Sequence, residues 1–270
     1  MSSQRPERLL VILIATMLLV WQLSPVVTGF FLAFSNEDSI GAVPGSFTLS
    51  HFASIAADRR WRDALLNSLM IASLASVLSS TAGLLLAASV ASLRSKGIKV
   101  VLSLLICSHV FTPPVLLGVA NKVFLTRLGL ADTVPGLVLA YALLCLVNGY
   151  LLCFMGLGLI RQAEFVLVRA SGGGIWACLR ECVLPRLVPF WVAATGLNFA
   201  VCMDESVISL FVSQVDTPTL PKLIWTSLRY SATPEAAAAA VCSFLAVLSI
   251  LLLAGIGTLS VSRWAVRSKG

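Results

Sequence analysis

Six continuous apolar runs constrain this chain more than any other feature of its sequence. Each is about 20 residues or longer, the length that an α-helix needs to cross roughly 30 Å of hydrocarbon. The strands of a membrane barrel alternate apolar and polar residues, whereas these runs do not. The chain is 58% hydrophobic and 11% charged, and soluble domains carry about 25% charged residues. The sequence therefore predicts an all-α integral membrane protein with a single transmembrane domain over residues 1–270. The six predicted transmembrane helices cover residues 9–34, 64–93, 100–120, 134–159, 187–212 and 236–261.

Basic residues are distributed unevenly between the segments that join these runs. With both termini in the cytoplasm, the inner segments hold 12 of the 19 Lys and Arg residues and three acidic residues. The outer segments hold seven basic and seven acidic residues. Because positive charge collects on the cytoplasmic side of membrane proteins, we predict a multi-pass protein with cytoplasmic termini. The same bias explains the net charge of +7 without any need for nucleic-acid binding.

The segment between the fourth and fifth runs, residues 160–186, is basic and too long for a simple turn. Its glycine triplet, Gly172–Gly174, lacks the lysine and the preceding strand of a phosphate-binding loop, so we interpret it as a hinge. Leu184 and Pro185 precede the fifth run. The segment also carries four arginines, which are Arg161, Arg169, Arg180 and Arg186. This composition predicts a cytoplasmic segment that a partner protein binds.

Two of the apolar runs contain residues that are costly in a membrane helix. Pro113 and Pro114 remove backbone donors in the third run, so the helix must kink or break there. Broken helices often line transport pathways, although a purely structural kink is equally consistent with the sequence. The second run is rich in Ser, Ala and Gly, which allow close helix contacts, so we expect it inside the bundle or at a partner subunit.

Asp204 and Glu205 lie within the fifth run, where a carboxylate costs at least about 2.5 kcal/mol. They are either an acidic spot on a translocation pathway for a cationic solute or a structural pair bonded to neighbouring helices. Adjacent helical positions point about 100° apart, so at most one of the two faces a pathway. Asp204 is the preferred candidate, and neither Asn198, six residues earlier, nor Ser209, five residues later, lies close to it on the same helix face.

Nothing in the sequence predicts catalysis, a metal site or a cofactor. His51 and His109 have no acid or nucleophile placed beside them in the sequence. Cys178 and Cys182 are four residues apart but lack further ligands, so we interpret them as small buried residues. None of the seven cysteines lies in an outer segment, so no disulfide is expected.

Segment 160–186 resembles a signature of the membrane-spanning permease subunits of binding-protein-dependent ATP-binding cassette (ABC) importers. That signature has a Glu-Ala-Ala, a Gly four positions after the second Ala, and a Leu-Pro whose Pro follows 13 residues after the Gly. Gly172 and Leu184-Pro185 are in this register. Val166 occupies the position of the Glu, and the nearest glutamate, Glu164, lies two residues early. The spermidine/putrescine type is the most similar subgroup, through residues 203–213 and 219–229 and the prolines of the third run.

The resemblance implies a type I importer bundle with no enzymatic activity of its own. Such a permease forms the translocation pathway together with a second permease subunit, and ATPase subunits dock on its cytoplasmic coupling loop. An extracytoplasmic binding protein delivers the solute, here a polyamine such as spermidine or putrescine, across a bacterial-type inner membrane. The implied pathway residues are Asp204, Glu205, Pro113 and Pro114. The implied coupling residues, within 160–186, are Glu164, Val166, Arg169, Gly172, Gly173, Gly174, Leu184 and Pro185.

Three alternatives stay open on the sequence. A self-contained secondary carrier would usually show more spans and an inverted repeat. An ABC permease for another solute fits the same motifs, because a fold does not fix its cargo. An intramembrane enzyme would need a better catalytic pair than two adjacent acids. The loss of the Glu-Ala-Ala also leaves two possibilities, in which either Glu164 or the arginines replace it, or the subunit is the degenerate half of an asymmetric pair.

Overall fold

The computed structural model describes residues 4–36, 47–160, 162–213, 217–230 and 234–267. The described residues are helical almost throughout, which confirms the predicted all-α class. Five helices in these ranges are long and apolar enough to cross a membrane, and a bent pair supplies a sixth span if it is counted as one. The helices are α1 (Gln4–Ala33), α2 (Ser50–Ala57), α3 (Arg59–Ser92), α4 (Lys96–Cys107), α5 (Pro114–Arg127), α6 (Val134–Gly158), α7 (Gln162–Ala170), α8 (Ile175–Cys178), α9 (Leu184–Asp204), α10 (Val207–Val212), α11 (Leu220–Tyr230) and α12 (Pro234–Arg267), with a 3₁₀ turn at Ser108–Phe111 and a π turn at Leu179–Val183.

The chain divides into two compact units. The first comprises Met1–Arg62 and Ile224–Phe244. Within it the rings of Phe34 and Phe52 lie 4.9 Å apart, and the Nε2 atom of His51 lies 2.8 Å from the carbonyl oxygen of Ser35. The apolar side chains of α1 are exposed along most of the helix. This exposure is what a helix that faces lipid requires, because hydrocarbon and not water then covers those side chains.

The second unit comprises Asp63–Leu223 and Leu245–Gly270, and its core is built around α6. The largest of its fully buried side chains include Tyr141 and Tyr150 of α6. At one point α3 and α6 touch through their backbones. A Cβ added to Gly149 would lie 2.8 Å from the carbonyl oxygen of Ser79, and one added to Gly83 would lie 2.4 Å from the backbone nitrogen of Tyr150. The second apolar run therefore lies inside the bundle, as its small residues predict.

Asn198 connects a third helix, α9, to the contact between α3 and α6. Its side-chain amide donates to the hydroxyls of Ser79 at 2.9 Å and Ser80 at 3.1 Å. All three side chains are fully buried. Nearby, the thiol sulfurs of Cys145 on α6 and Cys202 on α9 lie 3.5 Å apart. Polar side chains thus connect three helices in a region where hydrocarbon offers no alternative partner.

Two of the predicted spans differ from the helices that are present. The third breaks at Thr112–Pro113, where both backbones are extended, and the two halves are bent by 99°. This break is the expected consequence of Pro113 and Pro114. The fifth span begins earlier than residue 187, because the helical chain runs without interruption from Ile175 to Asp204. It then breaks at Glu205–Ser206, and residues 207–212 form the separate helix α10.

The close approach of α3 and α6 predicts that Gly149→Ala destabilises the protein. The added methyl would press on backbone atoms of Ser79 and Ser80, which cannot move aside as a flexible side chain would. Overpacking of this kind costs about 1–3 kcal/mol, and we expect a clear fall in the melting temperature of the purified protein. Gly158→Ala is the matched control on the same helix, since nothing lies within 4 Å of its added Cβ. Equal melting temperatures for the two variants would contradict the packing described here.

Candidate functional site

The glycine triplet is a hydrogen-bonded turn that joins α7 to α8. The amide of Gly172 donates to the carbonyl of Arg169 at 3.0 Å, and that of Gly173 donates to Val168 at 2.9 Å. Gly172 has φ +85°, a left-handed conformation that favours glycine and commonly ends a helix. Gly174 then precedes the first turn of α8, and its carbonyl accepts from the amide of Cys178 at 3.2 Å. The predicted hinge is therefore an ordered C-terminal cap.

An apolar surface lies on both sides of this turn. It consists of Val166 and Leu167 on α7 and Ile175 and Trp176 on α8, and we call these four residues the apolar tip. Val166 is 63% exposed and Trp176 is 80% exposed. In a segment predicted to lie in the cytoplasm, such side chains would face water. Exposed apolar side chains can mark a protein interaction site, and Arg169 and Arg180 on the same segment are also exposed.

Glu164 and Arg186 form a two-point ion pair. Both carboxylate oxygens of Glu164, in the first turn of α7, accept from the two terminal nitrogens of Arg186 in the first turn of α9. The arginine also donates to the carbonyl of Cys182 at 3.2 Å. The Arg186 side chain is 27% exposed and the Glu164 side chain is 25% exposed, so water screens this pair less than a surface pair. Fork-to-fork pairs of this kind are among the stronger charged hydrogen bonds.

Leu184 and Pro185 lie within the helical chain and not at its start. The amide of Leu184 donates to the carbonyl of Leu179, five residues earlier, which closes a π turn. Pro185 has no amide hydrogen and its ring clashes with a carbonyl four residues back, so a wider turn relieves this position. The predicted coupling loop, residues 160–186, is therefore α7, a glycine turn, and then the first twelve residues of the long helical segment that continues as α9.

The structure separates the two acidic residues of the fifth run. α9 ends at Asp204, whose side chain is exposed. Glu205 lies beyond the helix end and is partly buried. Its Oε1 atom accepts from the amide of Ile208 at 2.7 Å, so it caps the first turn of α10. The hydroxyl of Tyr141 donates to the Glu205 carbonyl at 2.7 Å. Glu205 therefore holds the backbone at the break, while the side chain of Asp204 is exposed in this chain.

The two broken spans meet through the short helices that follow their breaks. α5 begins at Pro114, immediately after the proline break, and α10 begins just after Glu205. A Cβ added to Gly118 on α5 would lie 2.6 Å from the ring of Phe211 on α10, so these helices are in tight contact. The amide of Asp132 also donates to the carbonyl of Val212 at 3.0 Å. The sequence analysis did not predict this pairing, because its two helices are far apart in the chain.

Among the described residues no group of three or more His, Cys, Asp or Glu side chains could hold a metal ion. Cys178 and Cys182 are buried, and in those ranges no third ligand accompanies them. The seven cysteines are all free. The described residues thus bring together exposed apolar side chains on α7 and α8 and, elsewhere, two helix breaks.

The left-handed conformation at Gly172 predicts that Gly172→Ala weakens the α7–α8 turn. A non-glycine residue in this conformation costs about 1–2 kcal/mol, so the amides of α7 should exchange with deuterium several-fold faster. Gly174→Ala is the control, because its backbone is extended and nothing lies within 4 Å of its added Cβ. Hydrogen–deuterium exchange of both purified variants, read by mass spectrometry, measures the difference. Unchanged exchange in Gly172→Ala would show that the turn tolerates a side chain.

Comparison with models of known protein families finds no match. Curated relatives do match. The chain is 24% identical over 218 residues to the spermidine/putrescine transport system permease protein PotC of Haemophilus influenzae, which covers 81% of this chain and 84% of that protein. It is 29% identical over 189 residues to the putative 2-aminoethylphosphonate transport system permease protein PhnV of Salmonella paratyphi A, covering 68% and 70%.

A solved structure shares the fold. It is a bacterial alginate ABC transporter in complex with an alginate pentasaccharide-bound periplasmic protein. One of its chains matches with a TM-score of 0.72 and 15% identity, covering 96% of each chain. At this identity the match shows the fold alone. The curated relatives are transport permeases and not enzymes. The chain is thus homologous to these two permease proteins and has the fold of a permease subunit of a binding-protein-dependent ABC importer.

Proposed function

We propose that this permease carries a small amine-bearing solute, with polyamines such as spermidine and putrescine as the first candidates. In this proposal it lies in a bacterial inner membrane with both termini in the cytoplasm. It forms the pathway together with a second permease subunit, receives solute from an extracytoplasmic binding protein, and is driven by separate ATPase subunits. The single observation that carries the substrate class is the exposed carboxylate of Asp204 at the break after α9.

The chemistry at the end of α9 suits a cation. The last carbonyls of a helix point past its C-terminus and carry partial negative charge, and the Asp204 carboxylate adds a full charge at the same place. Helix ends at breaks within transporter spans coordinate cations in this way. Glu205 is engaged with the amide of Ile208, so Asp204 is the residue that we assign to the pathway. Pro113 and Pro114 contribute through the neighbouring break, which frees α5 to pack on α10.

The relatives support the same class of solute. The solute named for one is spermidine or putrescine, and that named for the other is 2-aminoethylphosphonate. These compounds share an aliphatic amine, which is protonated at neutral pH and pairs with a carboxylate. The alginate transporter imports an acidic polysaccharide, but that likeness concerns the fold, and a fold does not fix its cargo. A polyamine or another small amine is therefore favoured over a purely anionic solute.

The apolar tip is the proposed docking site for an ATPase subunit. Large aromatic side chains near the centre of an interface supply much of its binding energy, and Trp176 is the most exposed large residue of the tip. The register of Gly172 with Leu184-Pro185 places the tip on the segment that couples to the ATPase in similar permeases. Coupling therefore rests on apolar contact here, because Val166 stands where those permeases carry the Glu of the Glu-Ala-Ala.

Trp176→Glu should detach the ATPase from the permease. A charge at a buried aromatic anchor costs about 2 kcal/mol or more, so we expect roughly tenfold or greater loss of ATPase subunit recovered with tagged permease. Tyr230→Glu is the matched control, since Tyr230 is 83% exposed and lies in a segment predicted to be extracytoplasmic. Both variants should keep the wild-type melting temperature. Full ATPase recovery with Trp176→Glu would remove the tip from the proposed interface.

Asp204→Asn should reduce polyamine uptake while the transporter still assembles. Asparagine keeps the size of the side chain and removes the charge, so we expect roughly a tenfold fall in spermidine uptake. Glu205→Gln keeps the acceptor for the Ile208 amide and should leave uptake within about twofold of wild type. Uptake is measured in vesicles that contain the permease with its ATPase and binding protein. Unchanged uptake in Asp204→Asn would refute the acidic-pathway assignment, and uptake without ATP would favour a secondary carrier.

A further inference from the structure

We propose that Glu164 and Arg186 are a positioning pair that fixes α7 to the first turn of α9, so that movement of the docked segment passes directly into the helix that ends at Asp204. This inference rests on the proposed function, because it assigns a role in coupling to two residues beside the proposed ATPase site. It differs from the alternative, left open by the sequence, in which Glu164 replaces the missing Glu-Ala-Ala at the ATPase.

Glu164 is already engaged within the chain. Both of its oxygens accept from Arg186, and the residue is only about a quarter exposed. A carboxylate that is held at two points and shielded in this way would lose two charged hydrogen bonds if it turned toward a partner. The exposed side chains of α7 include Val166 and Leu167 and also Arg169, whereas Glu164 is turned toward α9.

Arg186 connects three parts of the chain. Its guanidinium binds Glu164 and also the carbonyl of Cys182, within the π turn. One side chain therefore joins α7, the π turn and α9. The neighbouring charged residues Arg180 and Glu181 are exposed, so they carry charge on the same segment without sharing the shielded position of the pair. Fork geometry gives this link a defined orientation, which a single-point contact would lack.

α9 spans the distance between Arg186 and Asp204. α9 has 21 residues, which corresponds to about 30 Å at 1.5 Å per residue. Its first turn carries Arg186 and its last residue is Asp204. One continuous helix, which contains Pro189, therefore joins the proposed docking segment to the proposed pathway residue. Without the ion pair, the backbone connection between α7 and the long helix is the glycine turn, whose four residues 171–174 include three glycines.

The first experiment needs no ATPase. Glu164→Gln, Arg186→Gln, the double variant and the reversed pair, Glu164→Arg with Arg186→Glu, are purified as full chains in lipid nanodiscs. Hydrogen–deuterium exchange of the α7 amides should rise about tenfold in each single variant, no further in the double variant, and fall back toward wild type in the reversed pair. Glu181→Gln removes a charge from the exposed side of the same segment and should exchange as wild type does. Additive effects, or no rescue, would overturn the pair.

The second experiment uses the assembled transporter and separates the two hypotheses. If the pair positions α7, the single variants should keep the ATPase bound but lower the solute transported per ATP hydrolysed several-fold, and the reversed pair should restore that ratio. Loss of ATPase binding in Glu164→Gln alone would identify Glu164 as a docking residue, which overturns this inference and leaves the proposed function intact. Failure of the wild-type chain to recover any ATPase would instead overturn the proposed function.

Discussion

The contact between α3, α6 and α9 is the constraint on which the second unit depends. In lipid, helices gain little from burying apolar surface against one another, so close packing and interhelical hydrogen bonds must hold them. Gly83 and Gly149 let two backbones touch, and Asn198 adds two hydrogen bonds from the third helix to Ser79 and Ser80. α6 and α9 also meet where the thiol of Cys145 lies beside that of Cys202. A fixed centre of this kind gives α9 a defined position from which its two ends can act.

Beyond this centre the chain departs from straight helices in two places, and the departures support each other. Backbone groups that a helix break frees are tolerated in a membrane only where protein or a water-filled cavity covers them. Here α5 follows the proline break, α10 follows the Glu205 break, and the two pack together through Gly118 and Phe211. Glu205 and Tyr141 bind the backbone on the α10 side. The acidic pair of the sequence therefore divides into one residue that stabilises the break and one that lies exposed beside it.

The length and continuity of the apolar runs were enough to predict the helical class, because hydrocarbon leaves few alternatives to a helix. It could not predict where helices end inside a run, since Glu205 acts as a cap only once the chain has turned at Asp204. The charged residues Arg180 and Glu181 made the predicted fifth span too short, because they lie on the helical segment that precedes residue 187. The link between Glu164 and Arg186 joins residues 22 positions apart, and Asn198 reaches a helix more than 100 residues earlier. Tertiary contacts of this kind leave no local pattern.

In the coupling that we propose, Val166 stands where similar permeases carry a glutamate, and segment 160–186 has two separate kinds of contact. Charge has moved two residues toward the start of α7, where it is turned inward onto α9, and the vacated position joins an exposed apolar surface. Docking through such a surface depends on shape and area more than on charge, so salt should weaken it little. Internal charge, in contrast, sets direction, because a forked ion pair holds two helices in one orientation. In this proposal the segment combines a non-directional contact to its partner with a directional contact to α9, so that a force applied at the first would be passed on in a defined direction by the second.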